Sequence, residues 1–170
     1  MKGYDIVRMD NVSAVFSNKL GYKKIINSSE IKISEIPLNN SKDRYILISG
    51  DENSLRKAMK DNMCIGVSIK DNILMKKSLE QLHDSEKLLF INGSLITSSR
   101  KNELPKVIYK TRNLIRNAVI YKTTTAFVSL ANDYAHVMSA MQLKAVAMFI
   151  CEDEKLTDKL LTSFDWEFYK

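Results

Sequence analysis

The sequence predicts an α/β protein built on mostly parallel strands. From residue 44 onward, strand-like and helix-like segments alternate, and each strand-like segment is a short, continuous apolar run. Such runs are typical of parallel strands that helices cover on both faces. Right-handed crossovers then leave two architectures open, a doubly wound sheet or a closed barrel, and about seven strands suit either.

Length and composition indicate one globular domain over residues 1–170. A chain of 170 residues can bury a substantial core. Its apolar content of 45% and charged content of 27% are ordinary for a globular protein. Two prolines and five glycines argue against a Pro-rich linker, and we find no internal repeat.

The first part of the chain predicts three strands and a helix. Residues 4–9 form the first strand, and Asp10 or Asn11 then caps a short helix. Gly21 ends this helix, because glycine adopts the left-handed conformation without strain. Residues 23–26 give a second strand. In residues 31–36, isoleucines alternate with polar residues, which predicts a third strand with one wet face.

The remainder of the chain alternates regularly between strands and helices after a loop at residues 37–43. Strands are predicted at residues 45–49, 64–69, 88–91 and 126–130. Helices are predicted at residues 52–61, from Asp71 or Asn72 to Leu82, and at residues 103–121, 134–150 and 153–164. We expect the aromatic residues near the end, Phe164, Trp166, Phe168 and Tyr169, to dock the C-terminus.

The helix at residues 103–121 has an unusual charge distribution. At 100° per residue its apolar residues share one arc, and no acid follows Glu103 on the other face. An ordinary surface helix mixes its charges. Residues 100–122 hold seven bases and one acid, whereas residues 152–154 are all acidic. The pattern is compatible with a solvated face or with a phosphate-binding face on one basic side of the protein.

The net charge of +6 favours a polyanionic partner. No strand carries the alternating aromatic residues on which single-stranded RNA stacks. Contact with nucleic acid would therefore run through phosphates and shape.

Enzyme signatures are missing from the sequence. The two histidines, His83 and His136, stand outside the spacings that bind metals, and there is no P-loop or nucleophile elbow. Cys64 and Cys151 are far apart in apolar sequence, which predicts free thiols in a reducing cytoplasm. With no leader and no apolar run near 18 residues, we expect a cytoplasmic protein without membrane contact.

Motifs spread over most of the chain resemble one family. They are Leu-Gly-Tyr at residues 20–22, the strand and helix at 46–51 and 55–58, the strand at 64–68, residues 88–92 with Ser94, Ser98-Ser99-Arg100 with the basic helix, and the segments at 126–129 and 138–143. In this order they resemble protein component 3 of archaeal ribonuclease P, which is related to the eukaryotic thirty-kilodalton subunit. The chain departs from the family pattern at Leu130, Ala140 and residues 69–70, and it is short for the family.

This resemblance implies a compact barrel of the TIM type, related to metal-dependent phosphoesterases but without their metal ligands. It also implies a non-catalytic subunit of ribonuclease P. In that family the ribonuclease P RNA cleaves the 5′ leader from precursor tRNA with Mg²⁺, and the protein works with component 2 to support the RNA's catalytic domain. The protein itself is then expected to bind no cofactor.

The predicted RNA contacts are cations that neutralise and position phosphates. They are Arg56, Lys57, Lys60, Arg100, Lys101, Lys106, Lys110, Arg112 and Arg116, with loop contacts from Asn92, Ser94, Ser98 and Ser99. Two alternatives remain open at this stage. One is a divergent barrel phosphoesterase that uses Asp5, Asp10 and Asp51 as metal ligands at strand ends. The other is a barrel remnant with a structural role only.

Overall fold

The structure, a computed structural model, describes residues 3–10, 12–38, 41–73 and 75–169. The strands in these ranges are β1 (Tyr4–Ile6), β2 (Lys24–Ile26), β3 (Lys32–Ser34), β4 (Tyr45–Ser49), β5 (Cys64–Ile69), β6 (Leu88–Asn92) and β7 (Thr125–Val128). The helices are α1 (Ala14–Lys19), α2 (Glu52–Lys60), α3 (Lys76–Asp84), α4 (Ser94–Thr97), α5 (Leu104–Ile120), α6 (Ala140–Cys151) and α7 (Glu154–Thr162). No helix in the described ranges is long and apolar enough to cross a membrane.

All strand pairs are parallel, which confirms the predicted class of α/β fold. Five strands form one sheet in the order β3-β4-β5-β6-β7, and β1 pairs with β2. The segment after β7 joins the two sheets, because the Leu130 amide donates to the Ile6 carbonyl and the Arg8 amide to the Ala131 carbonyl, both at 2.8 Å. In the described ranges no ladder pairs β2 with β3. A closed barrel of about seven strands therefore stays a prediction.

The side-chain alternation of the strands divides the buried residues into two clusters. Tyr45 and Leu47 of β4 belong to an outer cluster under the helices, whereas Ile46 and Ile48 belong to an inner cluster. Both sheets contribute to the inner cluster, with Ile6 from β1 among its members. The two sheets thus share one interior.

The C-terminal aromatic residues complete this inner cluster. Phe164 packs edge-to-face on Phe90 at a ring separation of 5.5 Å, and Trp166 lies beside it. Both are buried, as predicted, while Phe168 is 80% exposed. The C-terminus is therefore docked through three of its four aromatic residues: Phe164, Trp166 and the partly buried Tyr169.

Gly66 allows β5 and β6 to approach closely. A Cβ atom at this position would lie 2.4 Å from the Leu88 carbonyl oxygen and 2.7 Å from the Phe90 ring. The side chain of any larger residue would therefore press against the Leu88 backbone and force β5 and β6 apart at the centre of the sheet.

Three predicted helix boundaries are wrong. Ser13, not Asp10, caps α1 by accepting from the Phe16 amide at 3.1 Å, and Asn11 lies outside the described residues. Neither Asp71 nor Asn72 caps α3, because both are left-handed, with φ of 56° and 49°.

The third error concerns the segment predicted as one helix at residues 134–150. It is divided into a 3₁₀ turn at Tyr134–His136 and the helix α6. Ser139 and Gln142 form a reciprocal capping box at the start of α6. The division follows because Ser139 satisfies the free amides of a new helix end.

Candidate nucleic-acid interface

The helix α5 carries four of the predicted RNA-contacting cations. Its buried residues are Thr111, Leu114, Ile115 and Ala118, and it ends at Ile120, with Tyr121 as the C-cap. Thr111 is held there because its hydroxyl donates to the Val107 carbonyl and accepts from the buried amide of Asn72. The orientation of the basic face is thus set by apolar packing and one buried polar contact.

The cations of α5 lie on two flanks of the helix. Lys106 and Lys110 are one turn apart and line a shallow pocket with Asp71 and Leu95, which follow the ends of β5 and β6. In the described part of the chain neither lysine forms an ion pair, and neither does the exposed Arg116. The two lysines would therefore break no ion pair on meeting an anion, although the acids Asp71 and Glu103 line the same pocket.

Arg112 lies on the other flank and is occupied by α6. Its guanidinium donates to the Phe149 carbonyl at 2.9 Å, pairs with Glu152, and lies 5.7 Å from the centroid of the Phe149 ring. The acidic stretch at residues 152–154 therefore meets the basic helix at this point. An RNA contact by Arg112 stays a prediction, but the side chain already has a protein partner.

The loop that leads into α5 uses its own polar groups internally. The Asn92 side chain accepts from the Ser94 amide at 3.0 Å and from the Ser94 hydroxyl at 2.8 Å. Ser98 donates to the Ser94 carbonyl, and Ser99 donates to the Leu95 carbonyl. These hydrogen bonds shape the turn. Contacts from these four residues to RNA stay predictions.

The exposed cations Arg100 and Lys101 follow this loop. They stand just before the first turn of α5, with no ion pair in the described ranges. The loop therefore extends the basic surface from α5 toward the carboxyl ends of the strands.

The second predicted group of cations lies on α2. Leu55, Ala58 and Met59 are buried, which turns Lys57 and Lys60 to solvent and leaves Arg56 half-buried. Asp51 caps the helix by accepting from the Ser54 amide at 2.8 Å. Arg56 and Lys60 thus line the surface between α2 and its neighbour α3, whereas Lys57 points away from it to solvent.

Sequence reasoning missed one cation at this position. Lys77 of α3 lines the same groove as Arg56 and Lys60. No local signal marked it, because the sequence placed the start of this helix at Asp71 or Asn72, whereas α3 begins at Lys76.

The three acids of the phosphoesterase alternative are not brought together. Asp5 accepts from the amide and hydroxyl of Ser129, Asp10 accepts from the Ser28 hydroxyl, and Asp51 caps α2. The described residues contain no group of three His, Cys, Asp or Glu side chains able to hold a metal ion. Each acid has a separate structural task.

Asp5 is the most perturbed of these acids. It is fully buried, and burial raises its pKa to about 6, although the hydrogen bonds from Ser129 act in the opposite direction. Its hydrogen bonds to Ser129 link β1 to the segment after β7, and Asp5 therefore helps to hold the two sheets together.

Comparison with known proteins identifies chains of similar fold but no family of similar sequence. No protein-family model matches the chain, and no curated protein matches it. A chain in the cryo-EM structure of archaeal ribonuclease P with mature tRNA superimposes with a TM-score of 0.69 at 10% identity, over 96% of this chain and 79% of that one. A crystal structure of an uncharacterized protein gives a TM-score of 0.47 at 11% identity, over 68% of this chain and 30% of that one. The first match establishes a shared fold.

Proposed function

We propose that this chain is a non-catalytic protein subunit of ribonuclease P. It binds and supports the catalytic RNA while that RNA removes the 5′ leader from precursor tRNA. One observation carries the proposal: nearly the whole chain superimposes on most of a chain from an archaeal ribonuclease P structure with mature tRNA. The motifs at residues 88–92, Ser94, Ser98–Arg100 and the basic helix also resemble a protein of archaeal ribonuclease P.

The charge distribution supports RNA as the partner. Lys106, Lys110 and Arg116 have no acidic partner in the described ranges, and Arg100 and Lys101 continue the surface. A convex helix with unpaired cations suits the phosphate backbone of a folded RNA. Binding of this kind positions the RNA and needs no catalytic group from the protein.

The finer identity that we propose is protein component 3, with component 2 as its protein partner in the cytoplasm. Its architecture would then be a barrel with the cyclic strand order β1-β2-β3-β4-β5-β6-β7. The hydrogen bonds between β1 and the segment after β7, and the shared inner cluster, support closure on that side. The Mg²⁺ of the reaction would belong to the RNA subunit, with no cofactor held by the protein.

The experiment that tests this function is recovery of the tagged protein from its own cells, followed by sequencing of the bound RNA. We expect one abundant structured RNA and cleavage of precursor tRNA by the eluate. A double variant, Lys106→Glu with Lys110→Glu, should lose this RNA as the salt concentration rises.

The matched control is Lys155→Glu with Lys159→Glu, which reverses two exposed lysines one turn apart on α7. It should retain the RNA. Recovery of no RNA at low salt contradicts the proposal. Stoichiometric Mn²⁺ binding by the isolated protein would instead favour the phosphoesterase alternative.

A further inference from the structure

A groove between α2 and α3 is separate from the face of α5. It has a volume of about 390 Å³, within the range of small-ligand sites. Arg56 and Lys60 reach it from α2, and Lys77 reaches it from α3. Met59 provides apolar lining between them, and Asp84 is the one acid of the lining. Three cations thus converge on a concave site.

These cations are not used by the fold. In the part of the chain that the structure describes, none of the three cations forms an ion pair with Asp84 or with any other acid. The Nε atom of Arg56 is buried and has no hydrogen-bond partner there. Arg56 also makes no other side-chain hydrogen bond in the described ranges, so the accessible part of its guanidinium, not the buried Nε atom, is free to meet an anionic group in the groove.

Helix stability accounts for one of the two lysines of the groove and not for the other. Lys60 lies in the last turn of α2, where the helix dipole favours a cation, so stability alone explains it. Lys77 lies in the first turn of α3, which has no acid and no side-chain cap. A cation there opposes the dipole. The same is true of Lys76, so the dipole does not distinguish the two lysines; what distinguishes Lys77 is that it lines the groove with Arg56 and Lys60.

We infer that this groove holds one nucleotide of an unpaired RNA segment. Arg56, Lys60 and Lys77 bind its phosphate, and the sugar or base packs against Met59. The inference rests on the proposed ribonuclease P function for the source of that RNA. It separates two modes of contact: the convex surface of α5 meets the backbone of folded RNA, while the concave groove admits a single strand.

The test uses the full chain and two substitutions on neighbouring residues. Lys77→Glu reverses a cation in the groove, and Lys76→Glu makes the same charge change on an exposed residue outside it. Both place an acid in the first turn of α3, where the dipole favours it. Neither variant should melt below the wild type, so a loss of binding cannot come from unfolding.

The probe is the oligoribonucleotide rU4, followed by fluorescence anisotropy at several salt concentrations and by NMR of backbone amides. Lys77→Glu should weaken binding about tenfold and lower the log–log salt slope by about 0.7, the value for one phosphate on a single strand. Lys76→Glu should change the affinity less than about twofold. The shifted amides should lie on α2 and α3.

Other outcomes overturn the inference in distinguishable ways. Equal losses in both variants would show a general charge effect without a site. Tighter binding of a polyglutamate peptide than of rU4 would assign the groove to an acidic protein segment. If the ribonuclease P RNA binds to wild type and Lys77→Glu alike and rU4 does not bind, the groove fails while the proposed function stands. If rU4 behaves as expected but the ribonuclease P RNA does not bind, the proposed function fails and the groove remains.

Discussion

Replacing Asp5 with asparagine tests the junction between β1 and the segment after β7. The Oδ1 atom of Asp5 accepts from the Ser129 amide at 2.7 Å, and Oδ2 accepts from the Ser129 hydroxyl. An asparagine keeps the Oδ1 acceptor and offers its amide hydrogens to the hydroxyl oxygen. The hydroxyl can then donate to the Ile6 carbonyl, which lies 3.3 Å away. Asp5→Asn therefore keeps the geometry and removes the charge.

The expected size of the effect follows from the pKa of Asp5. Burial raises this pKa from 3.8 to about 6, so the folded state binds more protons than the unfolded state between these values. The contribution of Asp5 to stability is then complete below pH 4 and is lost as the pH rises through about 6. A shift of about two units corresponds to about 3 kcal/mol. Because asparagine does not titrate, Asp5→Asn should gain about this much relative to the wild type between pH 4 and pH 7.5.

Urea unfolding of both proteins across this pH range measures the difference in the free energy of unfolding. Asp51→Asn is the control with the opposite sign, because its hydrogen bonds from Ser54 lower the pKa of Asp51. The contribution of Asp51 is present above its ordinary pKa and lost as the pH falls. A difference between Asp5→Asn and wild type that does not vary with pH would refute the reasoning.

Two further substitutions test the sheet and the basic helix. Gly66→Ala should destabilise the protein by about 1–3 kcal/mol in thermal melts, because its Cβ would meet the Leu88 carbonyl at 2.4 Å; an unchanged melting temperature would contradict the close approach of β5 and β6. Arg112→Ala should cost about 0.5–1 kcal/mol of stability, since its pair with Glu152 is half exposed. In a filter-binding assay, Arg112→Ala should weaken RNA binding less than Lys110→Ala does. A larger loss of affinity for Arg112→Ala would show that Arg112 contacts the RNA.

The distinction between Lys110 and Arg112 shows what a charge pattern can and cannot predict. Both residues fall on the outer arc of α5, and both were predicted as RNA contacts from the sequence. The structure gives Arg112 a partner in α6 and leaves Lys110 beside Asp71 and Leu95. Helical periodicity separates a buried face from an outer face, but it does not say which neighbour covers each flank.

The same limit explains Lys77. Its position at the start of α3 is visible only after the boundary of that helix is known, and the sequence placed the boundary at Asp71 or Asn72. The side chain of Asn72 is an effective cap in general, yet here its amide donates to Thr111 of α5. A contact 39 residues away in the chain overrode a local preference.

The sequence by itself determined the class of fold, the approximate positions of the strands, and most of the buried face of α5; Val119 of its apolar arc is 53% exposed, and the polar Thr111 is buried instead. These features depend on the spacing of apolar residues, which is a local property that survives without knowledge of the neighbours. It also identified Gly21 as a helix end, and Gly21 adopts φ of 83° in the structure.

Tertiary structure alone decided the pairing of β1 with the segment after β7, the burial of Asp5, the tether of Arg112 and the groove of Arg56, Lys60 and Lys77. Each of these joins residues that are far apart in sequence or on different elements. Their energies arise from desolvation and from geometry between elements, which no local pattern contains.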